Sequence, residues 1–265
     1  MMNSAFFSEY FKERKVTPFE DLTTTLLVGV ATLATGTNIK IENLFNNVPI
    51  YEIPGYVRGK NVEVKIPHPG VPYVVLSAKK GDEVRGIVKR LPKKRKGNKG
   101  RFPNQVALDI SLKEKVVNVM IFSNSMKISG ATKPEQLAET LIYMRALLNY
   151  VQNQGVHVFD VSPVFSKLDI VMENVVFDLG FRVRGDVLYE KAVASGLESP
   201  PDTDAVRVLY PMGVQKTKGG ERYYDFRVRH TGKVVYSGNN RKDMKESYDK
   251  FMNFIGEIES DIRFL

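Results

Sequence analysis

The feature that most constrains the fold of this chain is a device used twice. "VVNVMIFSNSMKISGATKPEQ" (116 to 136) and "YYDFRVRHTGKVVYSGNNRKD" (223 to 243) each read as a strand, a tight turn, a second strand, a glycine and a helix start. Gly130 and Gly238 lie 108 residues apart, and so do Asn124 and Gly232 in the turns, the two residue types that most easily adopt positive φ. Turn-to-glycine length is therefore the same in both copies. In the closing strands Met126 and Ile128 alternate with Lys127 and Ser129, and Val234 and Tyr236 alternate with Val235 and Ser237, so each strand has two distinguishable faces.

A helix follows each hairpin. Thr132 with Glu135, and Asn240 with Asp243, have the spacing of a capping box. Apolar residues at Leu137, Leu141, Met144, Leu148 and Val151 return at Met244, Tyr248, Phe251, Ile255 and Ile258, each pair 107 residues apart. One such stripe would predict only a packed helix; five matched positions predict a duplication.

Upstream, "TTTLLVGVATLATGTNIKIENLF" (23 to 45) and "SKLDIVMENVVFDLGFRVRGDVL" (166 to 188) both read as an apolar strand entering a short helix. Matching "IKI" (39 to 41) with "FRV" (181 to 183) gives an offset of 142, so the first copy holds 142 − 108 = 34 more residues before its hairpin. The surplus falls between about Ile50 and Arg101 and includes "VPYVVLSAKKGDEVRGIVKR", a candidate for an extra strand pair. Strand, short helix, antiparallel strands and long helix, repeated, predict an α+β fold: an antiparallel sheet with helices on one face and the other face open. The expected organisation is an aromatic helix at 1 to 19, a first repeat over 20 to 155 with its insertion at about 51 to 101, and a second repeat over 156 to 265.

The excess charge sits in that insertion. Positions 79 to 101 hold 11 Lys and Arg against Asp82 and Glu83, a net of +9 that equals the charge of the whole chain. Lys93, Lys94, Arg95, Lys96, Lys99 and Arg101 form a run too polar to pack a core. It reads as a solvated loop, as a phosphate-contacting arm that gains free energy by releasing counterions from nucleic acid, or, through "KKRK", as an import signal.

Enzyme chemistry finds little footing. His68, His157 and His230 are scattered and none has a partner at metal or triad spacing, and "GVQKTKGG" (213 to 220) lacks the spacing of a phosphate loop. There is no cysteine, which excludes disulfides and thiolate metal sites and fits a reducing intracellular setting. The expectation is a soluble, non-enzymatic protein without a cofactor or metal. The N-terminal "MMNSAFFSEYFKERK" reads as a short helix that packs Phe6, Phe7, Tyr10 and Phe11, since Glu9 and Glu13 break any leader-like run.

"MIFSN" followed by "KISGA" and a long helix, and "HTGKVV" with "SG" before a second helix, resemble the signature of the TATA-box-binding protein family. "VATLATGTNIKI" resembles that family's upstream strand, and "RF" at 101 to 102 after a basic insertion resembles the divergent versions encoded by large DNA viruses. The resemblance covers most of 20 to 260. It implies a saddle of two pseudosymmetric halves whose curved antiparallel sheet binds the minor groove of A·T-rich promoter DNA and bends it, with helices on the convex back. It implies as partners double-stranded DNA, a TFIIB-like factor and the RNA polymerase machinery, and as location either the nucleus or a cytoplasmic viral replication site, with packaging in the virion as a further option. No cofactor, membrane or small-molecule substrate is implied.

Carried over residue by residue, the resemblance makes Phe122 and Phe102 the wedge pair of the first half. Val28 and Val30 fall where the family places an asparagine and a valine against base edges, Met120 lies on the same strand as Phe122, Ser129 takes a threonine position, and Lys127 replaces a small apolar residue. In the second half Ile170, Met172, Val235 and Ser237 suit an apolar surface, whereas Arg229 stands at the wedge position and Arg227 replaces an apolar contact. Phe226 and Val228 alternate with these arginines and are expected inward. Two functions compete on these residues: a promoter-binding initiation factor, and a protein-interaction scaffold of the same fold with only non-specific electrostatic affinity for nucleic acid.

Overall fold

The computed structural model describes residues 17 to 52, 70, 72 to 87, 104 to 212, 223 to 239 and 241 to 264. Phe102, the basic run from Lys93 to Arg101, Asn240 and the N-terminal aromatic cluster lie outside them. The chain divides into two compact units, one formed by Leu27–Val171 and the other by Met1–Leu26 with Met172–Leu265. Each is α+β.

In the first unit β1 (Thr23–Leu33), whose first residues belong to the second unit, leads to α1 (Ile41–Asn47), then to β2 (Val74–Lys80), β3 (Glu83–Gly86), β4 (Val106–Ser111), β5 (Val116–Ile121), β6 (Ser125–Ala131) and the 20-residue α2 (Pro134–Asn153). The strand order is β3-β2-β4-β5-β6-β1, and the pairs along it are antiparallel. The expected extra strand pair is the β2–β3 hairpin, which widens the sheet beyond β4.

The second unit repeats the order. β7 (Phe165–Asp178), whose first residues belong to the first unit, is followed by α3 (Gly185–Ala194), β8 (Val206–Pro211), β9 (Tyr223–Val228), β10 (Lys233–Gly238) and α4 (Arg241–Ile262). The order here is β7-β10-β9-β8, again antiparallel.

Period-two alternation puts one side of each strand under the helices. In the first unit Leu108, Val119 and Ile128 are fully buried with Leu137, Met144 and Leu148 of α2. In the second, Phe226 stacks between Tyr236 at 3.9 Å and Phe251 at 4.1 Å, and the Tyr236 hydroxyl donates to the Met244 carbonyl oxygen at 2.8 Å. Of the ten stripe positions expected from the sequence, nine are buried and Ile258 is partly buried against the same core. Phe226 and Val228 point inward as their alternation demands.

Three local details depart from the sequence reading. Only Gly232 of the two turn residues takes positive φ, at 86°; the first hairpin closes with Phe122 N–H donating to Ser125 O at 2.8 Å across a two-residue turn, whereas Arg229 N–H reaches over a three-residue loop to Lys233 O at 3.0 Å. The extra residue is what calls for a left-handed position. The glycines that close the hairpins serve different purposes: Gly130 (φ 97°) sits where the β1–β6 register shifts, while a Cβ on Gly238 would lie 2.5 Å from Met244 Cγ. The α2 N-cap is Lys133, because Pro134 opens the first turn, so Gln136 rather than Glu135 reaches back and its Oε1 accepts from the N–H groups of Thr132 (2.8 Å) and Lys133 (3.3 Å).

The start of the second unit's sheet is pinned by a partly buried ion pair. Glu173, 5% exposed, accepts from Thr24 Oγ1 at 2.6 Å and pairs with Arg241 at the start of α4. Arg241 also donates to Leu22 O at 3.2 Å and lies over the Phe19 ring at 5.2 Å.

Candidate nucleic-acid interface

The sheet faces turned away from the helices carry the side chains that alternate with the core. In the first unit two cross-strand rows run over this face. One joins Val28, Ser129, Asn118, Asp109 and Ser77; the next joins Val30, Lys127, Met120, Ala107 and Lys79. The register brings Val28, Val30, Met120, Lys127 and Ser129 onto one surface, with Phe122 half-buried two residues past Met120, at the β5–β6 turn. Val28 itself is only 4% exposed.

The first row is more polar than the sequence reading supposed. Asp109 accepts from Ser77 Oγ at 2.7 Å, from Asn118 Nδ2 at 2.8 Å and from Lys79 Nζ at 3.2 Å. These four side chains were missed, although Asn118 has the same parity as Met120 and could have been placed by alternation alone. Asp109 and Lys79 needed the β2–β4–β5 pairing to be known. Lys127 is exposed and has no ion-pair partner among the described residues.

The second unit repeats the rows in the same register. Ser237 stands between Asn174 and Asp225, with Leu209 beyond; Val235 stands between Val176 and Arg227, with Arg207 beyond. The structural counterparts of Val28 and Val30 are therefore Asn174 and Val176, not Ile170 and Met172, which lie four residues earlier on β7. Ile170 is 39% exposed and Met172 is half-buried. The sequence offset failed because it was anchored on the strand-to-helix connection. There Ile39 N–H donates to Ser123 O and Val183 N–H to His230 O, which matches Ile39, not Ile41, with Val183.

Asn174 is a polar group without an obvious structural task. Its Oδ1 is buried and has no hydrogen-bond partner among the described residues. Beside it, Asp225 holds two arginines: Arg207 donates from Nε at 3.2 Å and from Nη2 at 2.8 Å, and Arg227 donates from Nε at 3.3 Å. The hydrogen bond to Asp225 pushes the Arg207 guanidinium pKa further up. Arg229, at the position that Phe122 takes in the first unit, is exposed, and its guanidinium has no ion-pair partner among the described residues.

No protein-family model and no curated protein matches this chain. Among solved structures it is similar to Methanococcus jannaschii TBP, with 16% identity and a TM-score of 0.48, over 89% of this chain and 98% of that one.

Away from the sheet, α2 borders a groove of about 760 Å³ lined by Tyr73, Glu135, Ala138, Glu139, Ile142, Tyr143 and Ala146. Ile142 is 73% exposed, and Tyr73 adopts φ 59°, a left-handed conformation unusual for an aromatic residue, while its hydroxyl donates to Glu139. Among the described residues no cluster of His, Asp or Glu is placed to hold a metal ion, and no helix is long and apolar enough to cross a membrane.

Proposed function

We propose that this chain is a TATA-box-binding-protein-like initiation factor that lays the helix-free faces of its sheets on the minor groove of A·T-rich promoter DNA, bends it, and recruits a TFIIB-like factor and RNA polymerase through its helices. The observation that carries this reading is the repeated register of the two faces. Val28–Ser129–Asn118 and Val30–Lys127–Met120 recur as Asn174–Ser237–Asp225 and Val176–Val235–Arg227. A duplicated surface suits a ligand that is itself pseudo-twofold, as duplex DNA is. The minor groove offers a degenerate hydrogen-bond code, so small side chains and a few amides and hydroxyls read mainly A·T against G·C and the ease of deformation. Phe122, with Phe102, acts as the wedge of the first half in this reading. The resemblance of "RF" after a basic insertion to virus-encoded versions supports a viral origin, working in a cytoplasmic replication site or the nucleus, and the helices are the surface offered to a partner factor.

The second reading, a docking scaffold with only electrostatic affinity for nucleic acid, draws on Asp109 and Arg229, since a carboxylate on the face and a cation at the wedge position both weaken an apolar grip. Titrating an A·T-rich and a G·C-rich duplex at two salt concentrations separates the two. The promoter reading expects tighter binding to the A·T-rich duplex that persists at moderate salt, and loss of bending in Phe122→Ala. Equal, weak and salt-abolished binding to both duplexes would sink the promoter reading and leave only electrostatic affinity for nucleic acid.

A further inference from the structure

Arg207 and Arg227 are directly opposed across the β8–β9 ladder. Like charges in that position repel and destabilise a sheet, so their pairing needs a compensating group. Asp225 is that group: it takes both Arg207 donors on one side and Arg227 Nε on the other, and its own side chain is only 15% exposed. The arrangement leaves Arg207 Nη1 and both terminal nitrogens of Arg227 free of the carboxylate, and Arg227 is half exposed. Two planar forks are thus locked side by side, with Arg229 further along the same strand and its connecting turn.

We infer that Asp225 is a positioning residue that fixes Arg207 and Arg227 as a clamp for the phosphodiester backbone of the bound duplex. The inference deepens the DNA-binding reading above and rests on it. Guanidinium forks recognise phosphate through paired donors, and holding them in place beforehand removes the conformational entropy that two free arginines would lose on binding. The register counterpart of Asp225 in the first unit is the neutral Asn118, and the carboxylate there, Asp109, holds one lysine with a serine and an amide. The second unit therefore carries paired charge where the first has Met120 and Ala107.

The test turns on a sign. Asp225→Asn raises the charge of this face by one, so if charge alone mattered the variant would bind duplex DNA more tightly. A clamp that depends on Asp225 predicts the opposite: binding weakened roughly fivefold at 0.15 M salt, the loss of about one phosphate contact. Arg227→Ala should lower the slope of log affinity against log salt by about 0.9. Arg207→Lys, which keeps the charge and removes the fork, should also weaken binding, and it decides the matter if Asp225→Asn does not fold by circular dichroism. Tighter or unchanged binding in Asp225→Asn, or unchanged binding in Arg207→Lys, overturns the clamp while leaving the DNA-binding reading intact. A wild-type chain that binds no duplex sinks that reading itself, and a wild type that binds both duplexes equally while the variants weaken refutes A·T selectivity but keeps the clamp.

Discussion

Asn174 stands beside Ser237 as Val28 stands beside Ser129, so the same place in two copies of one sheet holds an amide in one and an isopropyl group in the other. The amide has a buried Oδ1 with no partner among the described residues, a group that would gain a hydrogen bond if its side chain turned toward a bound ligand.

Replacing Asn174 by valine should therefore move stability and binding in opposite directions. Removing an unsatisfied buried acceptor is expected to leave the melting temperature unchanged or raise it. Binding to an A·T-rich duplex should weaken by about 1 to 2 kcal/mol, the usual scale for one lost discriminating contact. Thermal melts and duplex titrations on the same preparation check both. A variant that melts lower and binds as before would assign Asn174 a structural role only.

Gly232→Ala should be among the more damaging single-methyl changes in the second unit. The residue adopts φ 86°, and an added Cβ would sit 2.1 Å from the Phe181 carbonyl oxygen, which is backbone and cannot turn aside. A loss of more than about 1 kcal/mol is expected from the conformation alone, with the clash adding to it. Denaturant titration measures this. Asn124→Ala, in the two-residue turn without positive φ, should cost much less, and equal losses at both sites would contradict the difference between the turns.

Burial pushes the Tyr143 hydroxyl pKa up to about 12 and raises those of Tyr210, Tyr236 and Tyr248 as well. An unfolded chain ionises its tyrosines near pH 10. Between that value and the raised ones the unfolded state binds fewer protons than the folded one, so stability is fully present below about pH 10 and is lost as pH rises through the folded-state values. Melting temperatures measured from pH 8 to 11.5 should be flat at first and then fall, with tyrosinate absorbance at the upper end rising in step with unfolding. A melting temperature that stays level to pH 11.5 would be inconsistent with these burials.

Much of the fold was legible because two periodicities carry it. Alternation in "MKISG" and "KVVYSG" and helical spacing from Leu137 to Val151 each place the buried residues without reference to the rest of the chain. The position of β7 against β10 was not legible in the same way. β7 is a 14-residue strand, and an apolar strand holds no internal mark of its register; the anchor was two residues off in the following connection, and that connection is two residues shorter in the second copy (Val176 to Val183 against Val30 to Ile39), so together they displaced the predicted positions from Asn174 and Val176 to Ile170 and Met172. The polar row through Asp109 was hidden for another reason: Ser77, Asp109 and Asn118 lie on three strands, and only the pairing across all three brings them together. Arg227 was visible by parity, but its tie to Asp225 and Arg207 needed the β8–β9 register.

The paired rows bear on how such a chain can change over time. Beneath each sheet the helices close over Ile128 and Val119 in one unit and over Tyr236 and Phe226 in the other, and these cores are interlocked enough to resist piecemeal alteration. On the opposite side Lys127 answers to Val235, Met120 to Arg227 and Val28 to Asn174, three exchanges of chemistry at unchanged register. A duplicated scaffold of this kind behaves as two tablets with a common backing: either inscription can be rewritten one cross-strand row at a time, and a hairpin grafted from one copy to the other should carry its message without disturbing the fold beneath.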